Sequence, residues 1–214
     1  MKKLTRVSFF LLLFCAAYTQ GRAAEEPAID VPYYTQGREA PWADETLGLR
    51  SSVTIRTHGC ALTCISMVYS FFTDDDINPS VMNRWLKGNN GFKDDEDIRD
   101  YSGQVVLNWP ALTRYGDGWV YTRFNWRALP ADLLLVKYYL GRRIPVIAEV
   151  LYNGAPHYVV LTGYGEEGFI MLDPEQPGAK IFNDFYNIQD EYGSGPGRNI
   201  YGIRVLYPKG YGDE

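Results

Sequence analysis

Gly59-Cys60-Ala61-Leu62-Thr63-Cys64-Ile65-Ser66-Met67-Val68-Tyr69-Ser70-Phe71-Phe72 is the stretch on which the reading of this chain turns. Ala61, Cys64, Ile65, Val68, Phe71 and Phe72 recur at spacings of three and four, which predicts a helix from Cys60 to Phe72 with one buried face. Gly59 lets the backbone turn sharply into that helix. A thiol is nucleophilic only as thiolate, and the unpaired N–H groups and dipole at a helix start favour that form. Cys60 stands at this start and is the candidate nucleophile. Cys64, one turn further on the apolar face, is expected to pack as a small hydrophobe. Helix geometry separates the two Cα atoms by about 6 Å with parallel side chains, so a disulfide between them would constrain little and free thiols are expected.

A thiolate that opens an amide needs a base that returns a proton to the leaving group, and imidazole suits this near neutral pH. The chain has only two histidines. His157 opens a strand-like run after Asn153-Gly154-Ala155-Pro156, a place from which its ring can face a cleft. His58 lies two residues before Cys60, where chain geometry makes an ion pair awkward, and reads as a surface or cleft residue. Asp173, in Leu172-Asp173-Pro174, ends the strand after the hairpin that His157 begins, so antiparallel pairing brings it toward the imidazole it would orient. An oxyanion needs donors aimed at it. The Cys60 backbone N–H is one, and the Gln36 side-chain amide is a candidate second.

Outward from these residues the chain divides into a helical first half and a strand-rich second half. Ile29 to Gln36 alternates like an edge strand, with Pro32 arguing against a central place in a sheet. Residues 37 to 59 read as a loop. Helices are predicted from Pro79 to about Lys87 with Asn78 as N-cap, as a short piece from Trp109 to Tyr115, and from Pro130 to Leu140. Strands follow at Ile144–Leu151, Tyr158–Tyr164, Phe169–Leu172 and Tyr201–Tyr207, with Gly165-Glu166-Glu167-Gly168 as a hairpin turn. The class implied is α+β, a helical first half packed on an antiparallel sheet.

The N-terminal 24 residues have the layout of a signal peptide: Lys2, Lys3 and Arg6, an apolar run from Val7 to Tyr18, then small residues to Ala24. The run is too short to span a bilayer, and Phe14 stands before Cys15 where a lipobox places Gly or Ala. The expected mature domain is therefore 25–214, secreted or periplasmic. Cleavage removes four positive residues and no acidic one, taking the net charge from −5 to −9. Such acidity disfavours nucleic acid and anionic membranes as partners. The clusters Asp74-Asp75-Asp76 and Asp94-Asp95-Glu96-Asp97 lack the EF-hand spacing and read as solvated loops. His58, Cys60 and Cys64 come nearest to zinc-ligand spacing but make a weak set, so no metal or cofactor is expected. The five Trp and seventeen Tyr read as core and rim packing.

The chain resembles the C39-like family of papain-fold cysteine peptidases. The resemblance is carried by Val31-Pro32-Tyr33-Tyr34-Thr35-Gln36, Gly59-Cys60-Ala61-Leu62-Thr63, Met82-Asn83-Arg84-Trp85-Leu86-Lys87-Gly88-Asn89, His157 through Tyr164, and Asp173-Pro174, in that order. It implies a papain-like cysteine proteinase fold, with Cys60 as nucleophile, His157 as general base and acid, Asp173 as orienting residue and Gln36 as oxyanion donor. Gln36 and Cys60 are further apart than in the bacteriocin-processing members, and no transporter domain is read, so leader-peptide specificity is not carried over. The expected function is a secreted thiol hydrolase acting as a monomer on peptide or protein substrates. Two other readings stand beside it: a papain-fold binding module without turnover, and a cell-wall amidase or transferase using the same three residues.

Overall fold

The computed structural model describes residues 28–48, 53–93, 106–126, 130–186 and 199–212. The leader read at 1–24 and the acidic run 94–97 lie outside them. Four α-helices precede most of the sheet or interrupt it: α1 (Ile55–His58), α2 (Cys60–Thr73), α3 (Pro79–Gly88) and α4 (Leu133–Gly141), with a 3-10 helix at Trp109–Arg114. The strands are β1 (Trp119–Asn125), β2 (Val146–Tyr152), β3 (Ala155–Gly165), β4 (Gly168–Asp173), β5 (Gln176–Ile181) and β6 (Gly202–Pro208), and α5 (Phe182–Tyr186) lies between the last two. They form one six-stranded sheet in the order β1-β6-β2-β3-β4-β5, antiparallel at every pairing. The chain is thus an α+β domain with helices packed on an antiparallel sheet.

The central helix departs from its predicted pattern in an informative way. Every residue of α2 from Ala61 to Ser70 is buried, because β3 and β6 cover it on one side while α1 and α3 pack elsewhere on it. Side chains such as Leu62, Ile65, Met67 and Val68 contribute about 1.5–3 kcal/mol each on full burial. The sheet is also covered on both faces at its centre, since Val146–Val150 of β2 and Gly202–Leu206 of β6 are buried without alternation.

α3 starts as expected: the Asn78 side chain accepts from the Val81 N–H, with Pro79 in the first turn. α4 starts at Leu133 rather than Pro130, because the Asp132 carboxylate accepts from the N–H groups of Leu134 and Leu135 and so fixes the cap there. Residues 29–36 form no strand. Their burial alternates at first, but the Ile29 N–H reaches only the Thr162 carbonyl at 2.7 Å, and no ladder follows. The predicted loop 37–59 contains α1, preceded by an isolated bridge between Thr46 and Thr54.

Under the sheet centre lies a buried ion pair. Arg204 of β6 donates to Glu149 of β2 at 2.6 Å. Its guanidinium sits 5.4 Å from the Trp109 ring and 5.2 Å from the Tyr158 ring. A buried cation needs both its carboxylate and its π faces, and the second face it uses belongs to the residue next to His157.

Candidate active site

Cys60 is the first residue of α2, and its N-cap, Gly59, makes no side-chain capping bond. The first-turn N–H groups at a helix start have no intrahelical partner, and the Cys60 side chain stands beside them. Gly59 is required for room rather than for conformational freedom, since its φ is an ordinary −87°. A Cβ built there would stand 2.3 Å from the Ile55 carbonyl oxygen and 2.7 Å from the Ile55 Cγ2. Close approach of α1 to α2 is therefore what the glycine permits, and it brings Cys60 to the very start of the helix.

Both thiols are free; Cys60 is partly exposed and Cys64 is buried. Cys64 does more than fill space. Its S–H donates to the Tyr158 carbonyl at 3.2 Å, tying α2 to β3 one turn above Cys60 and one residue beyond His157. Burial pushes the Cys64 thiol well above its usual range and the charges of Cys60 and Asp173 add to this, so it stays a neutral donor.

His157 stands opposite Val150 near the start of β3 and is buried, 5% exposed. Its Nε2–H donates to Asp173 Oδ1 at 2.8 Å, which leaves Nδ1 outside that bond. Burial alone would lower the imidazole from its usual 6.5, but hydrogen bonds to Asp173 and Cys60 and the charges of both push it up to about 10. The imidazole is thereby held as a cation beside the sulfur.

Asp173 ends β4. Val160 pairs with Leu172, so in the same register Asp173 faces Val159, on the side of the sheet that carries His157 two residues away. Its carboxylate is 1% exposed and fully engaged. Besides His157, Oδ1 accepts from the Glu175 N–H at 2.9 Å, and Oδ2 accepts from the Tyr186 hydroxyl at 2.5 Å. Burial would raise the carboxyl, yet His157, Tyr186 and the Glu175 N–H together hold it below its usual 3.8. Burial and the same carboxylate push the Tyr186 phenol upward, keeping it a donor.

Gln36 is buried against the same turn. Its backbone N–H donates to the Pro174 carbonyl at 3.1 Å, and its side-chain Nε2 donates to the Arg56 carbonyl at 3.1 Å and to Glu175 Oε1 at 2.7 Å. The fold therefore brings Cys60, His157 and Asp173 into one chain of contacts and joins Gln36 to it through the Asp173–Glu175 turn. His58 ends α1 and is exposed. Asp76 accepts from the Tyr34 hydroxyl at 2.6 Å and from the Asn78 amide at 3.1 Å. Among the described residues, no group of three or more His, Cys, Asp or Glu side chains could hold a metal ion.

Sequence reasoning missed Tyr186, Glu175 and the Glu149–Arg204 pair. Glu175 directly follows Asp173-Pro174, a local signal that the turn itself could reach the site. Tyr186 carries no such signal, because it arrives through β5 and α5, neither of which the pattern predicted.

Residues 28–194 match the model of the family described as Peptidase_C39 like. Among solved structures, one similar chain is a Bacillus anthracis protein whose own assignment as a C39-like peptidase is provisional. It is 14% identical, the match covers 85% of this chain and 97% of that one, and the TM-score is 0.46. No curated protein matches the chain.

Proposed function

The chain belongs to the peptidase C39-like family, and on that premise we propose that it is a papain-like cysteine peptidase hydrolysing peptide or amide bonds through an acyl-enzyme on Cys60. The Cys60 thiolate attacks the scissile carbonyl carbon, and the displaced electron pair forms an oxyanion. When that intermediate collapses, the C–N bond breaks and the His157 imidazolium gives its proton to the leaving nitrogen. Water then attacks the thioester, His157 takes its proton, and the acid product leaves Cys60 free. Asp173 stays ionised throughout and holds Nε2, so that Nδ1 faces the reaction. The Cys60 N–H and the Gln36 amide are the proposed oxyanion donors.

The observation that carries this reading is one buried imidazole, bonded to Asp173 at 2.8 Å and pushed up to about 10 by Asp173 and Cys60 together. Fast labelling of Cys60 by a thiol-reactive peptide mimic, lost in His157→Ala, is the expected result. Equal and slow labelling of Cys60 and Cys64 in the unaltered protein would refute it. One observation favours a second reading, a binding module without turnover: both hydrogens of the Gln36 amide are already engaged. Comparing peptides with cell-wall fragments as substrates separates a peptidase from an amidase or transferase. We place the mature protein outside the cytoplasm, on the leader alone. Among the described residues no helix is long and apolar enough to cross a membrane.

A further inference from the structure

Glu175 occupies the donor that the reaction needs. A primary amide has two N–H hydrogens, and those of Gln36 go to the Arg56 carbonyl and to the Glu175 carboxylate. Both neighbours are pure acceptors, so the amide cannot be turned the other way without placing oxygen against oxygen. In this arrangement Gln36 has nothing left to offer an oxyanion. The carboxylate also sets a negative charge beside the nitrogen where another negative charge would develop.

The position of Glu175 shows which half of a substrate it would meet. Its backbone N–H shares Asp173 Oδ1 with His157, and its carboxylate feels the charge of that imidazole. The leaving nitrogen must come within reach of His157 to take a proton. Glu175 therefore borders the path of the leaving half. Its backbone is held: the Pro174 carbonyl accepts from the Gln36 N–H at 3.1 Å and the Thr35 hydroxyl at 3.0 Å, and the Asp173 carbonyl accepts from the Tyr33 hydroxyl at 3.2 Å. The side chain is exposed and can swing while the turn stays in place.

The charges around it are unbalanced. Glu39, held by the Thr35 hydroxyl at 3.1 Å, and Asp173 both repel the Glu175 carboxylate, while His157 attracts it. The Arg56 guanidinium pairs with Asp44 at 3.1 Å instead. Among the described residues no lysine or arginine pairs with Glu175 or Glu39.

We propose that Glu175 selects substrates with a cationic side chain on the residue just after the scissile bond, and that this cation, by drawing the carboxylate to itself, releases the Gln36 amide to the oxyanion. The inference rests on the hydrolase reading above and deepens it by naming a substrate class. It also reconciles the occupied amide with catalysis, since the resting contact becomes a gate that the correct substrate opens.

The test is a set of peptides that differ only at that residue, carrying Lys, acetyl-lysine or Glu, within a sequence that a randomised peptide library shows to be cleaved. The unaltered protein is expected to prefer Lys over acetyl-lysine about tenfold in kcat/KM, within the range of one charged contact at a partly shielded site. In Glu175→Gln the preference should collapse to within about twofold while kcat on the acetyl-lysine peptide rises, and in Glu175→Lys it should turn toward Glu. Cleavage without a charge preference, or a preference that survives both variants, overturns this inference and leaves the hydrolase reading standing. No cleavage of any peptide, together with Cys60 labelling no faster than Cys64, overturns both.

Discussion

Replacing Asp173 by Asn isolates what the buried charge does. Asn is nearly the same shape, and the surroundings dictate how it sits. Its single oxygen must take the place of Oδ1, where two donors converge, the His157 Nε2–H at 2.8 Å and the Glu175 N–H at 2.9 Å. Its NH2 then faces the Tyr186 hydroxyl, which can rotate to accept. The hydrogen-bond geometry survives while the negative charge is lost. A hydrogen bond to a charged group is worth about 1.5–3 kcal/mol, and one pKa unit is about 1.4 kcal/mol. The imidazole, held at about 10 in the native site, should therefore fall by about 1–2 units. The direction follows from charge: removing an anion removes a reason for the ring to keep its proton. NMR titration of the imidazoles reads this directly, since the chain has only two histidines and the other is exposed on α1. An imidazole midpoint that stays in place, or rises, would refute the assignment of Asp173 as the charge that holds His157.

Gly59→Ala should destabilise the fold by about 1–3 kcal/mol, as overpacking against backbone does, because the new Cβ meets the Ile55 carbonyl at 2.3 Å; denaturant unfolding checks it, and an unchanged midpoint contradicts the close approach of α1 to α2. The stability added by the His157–Asp173 pair should depend on pH from both sides. His157 is raised from 6.5 to about 10, so its share is complete below 6.5 and disappears as pH climbs through about 10; Asp173 is lowered from 3.8, so its share is present above 3.8 and disappears as pH falls through its lower folded value. The melting-temperature gap between the native protein and His157→Gln should be widest between about pH 4 and 6.5, and a gap that widens toward alkaline pH would contradict the ion pair.

What could be read from the sequence was what short stretches decide. The helix after Gly59, the Asn78 cap and the hairpin at Glu166-Glu167 are each fixed by a handful of neighbours, and all appear where expected. β5 was unreadable for the same reason in reverse: Gln176-Pro177-Gly178 looks like a turn, and Gly178 does adopt φ +77°. Only its place at the sheet edge beside β4 makes the segment a strand. β1 pairs along one side only, with β6, and its mixed burial hides the period of two. At residues 29–36 the error ran the other way. Alternating burial is a property of any extended segment lying on a core, and it does not establish that a neighbouring strand completes a ladder.

The three site residues were legible singly, as a cysteine at a helix start, a histidine after a turn and an aspartate at a strand end; their mutual distances were not. The contact of Cys60 with His157 depends on how far α2 slides along β3, and nothing local sets that offset. The structure sets it elsewhere, with the Cys64 S–H on the Tyr158 carbonyl, and one turn of helix carries this offset back to Cys60. Tyr158 is held in turn by the Arg204 guanidinium over its ring, and Arg204 by Glu149. Two cysteines four residues apart invited the question of a disulfide, whereas the second thiol works as a reduced donor that fixes the first. Oxidising the pair would remove that donor together with the proposed nucleophile, so the proposed chemistry requires both sulfurs reduced.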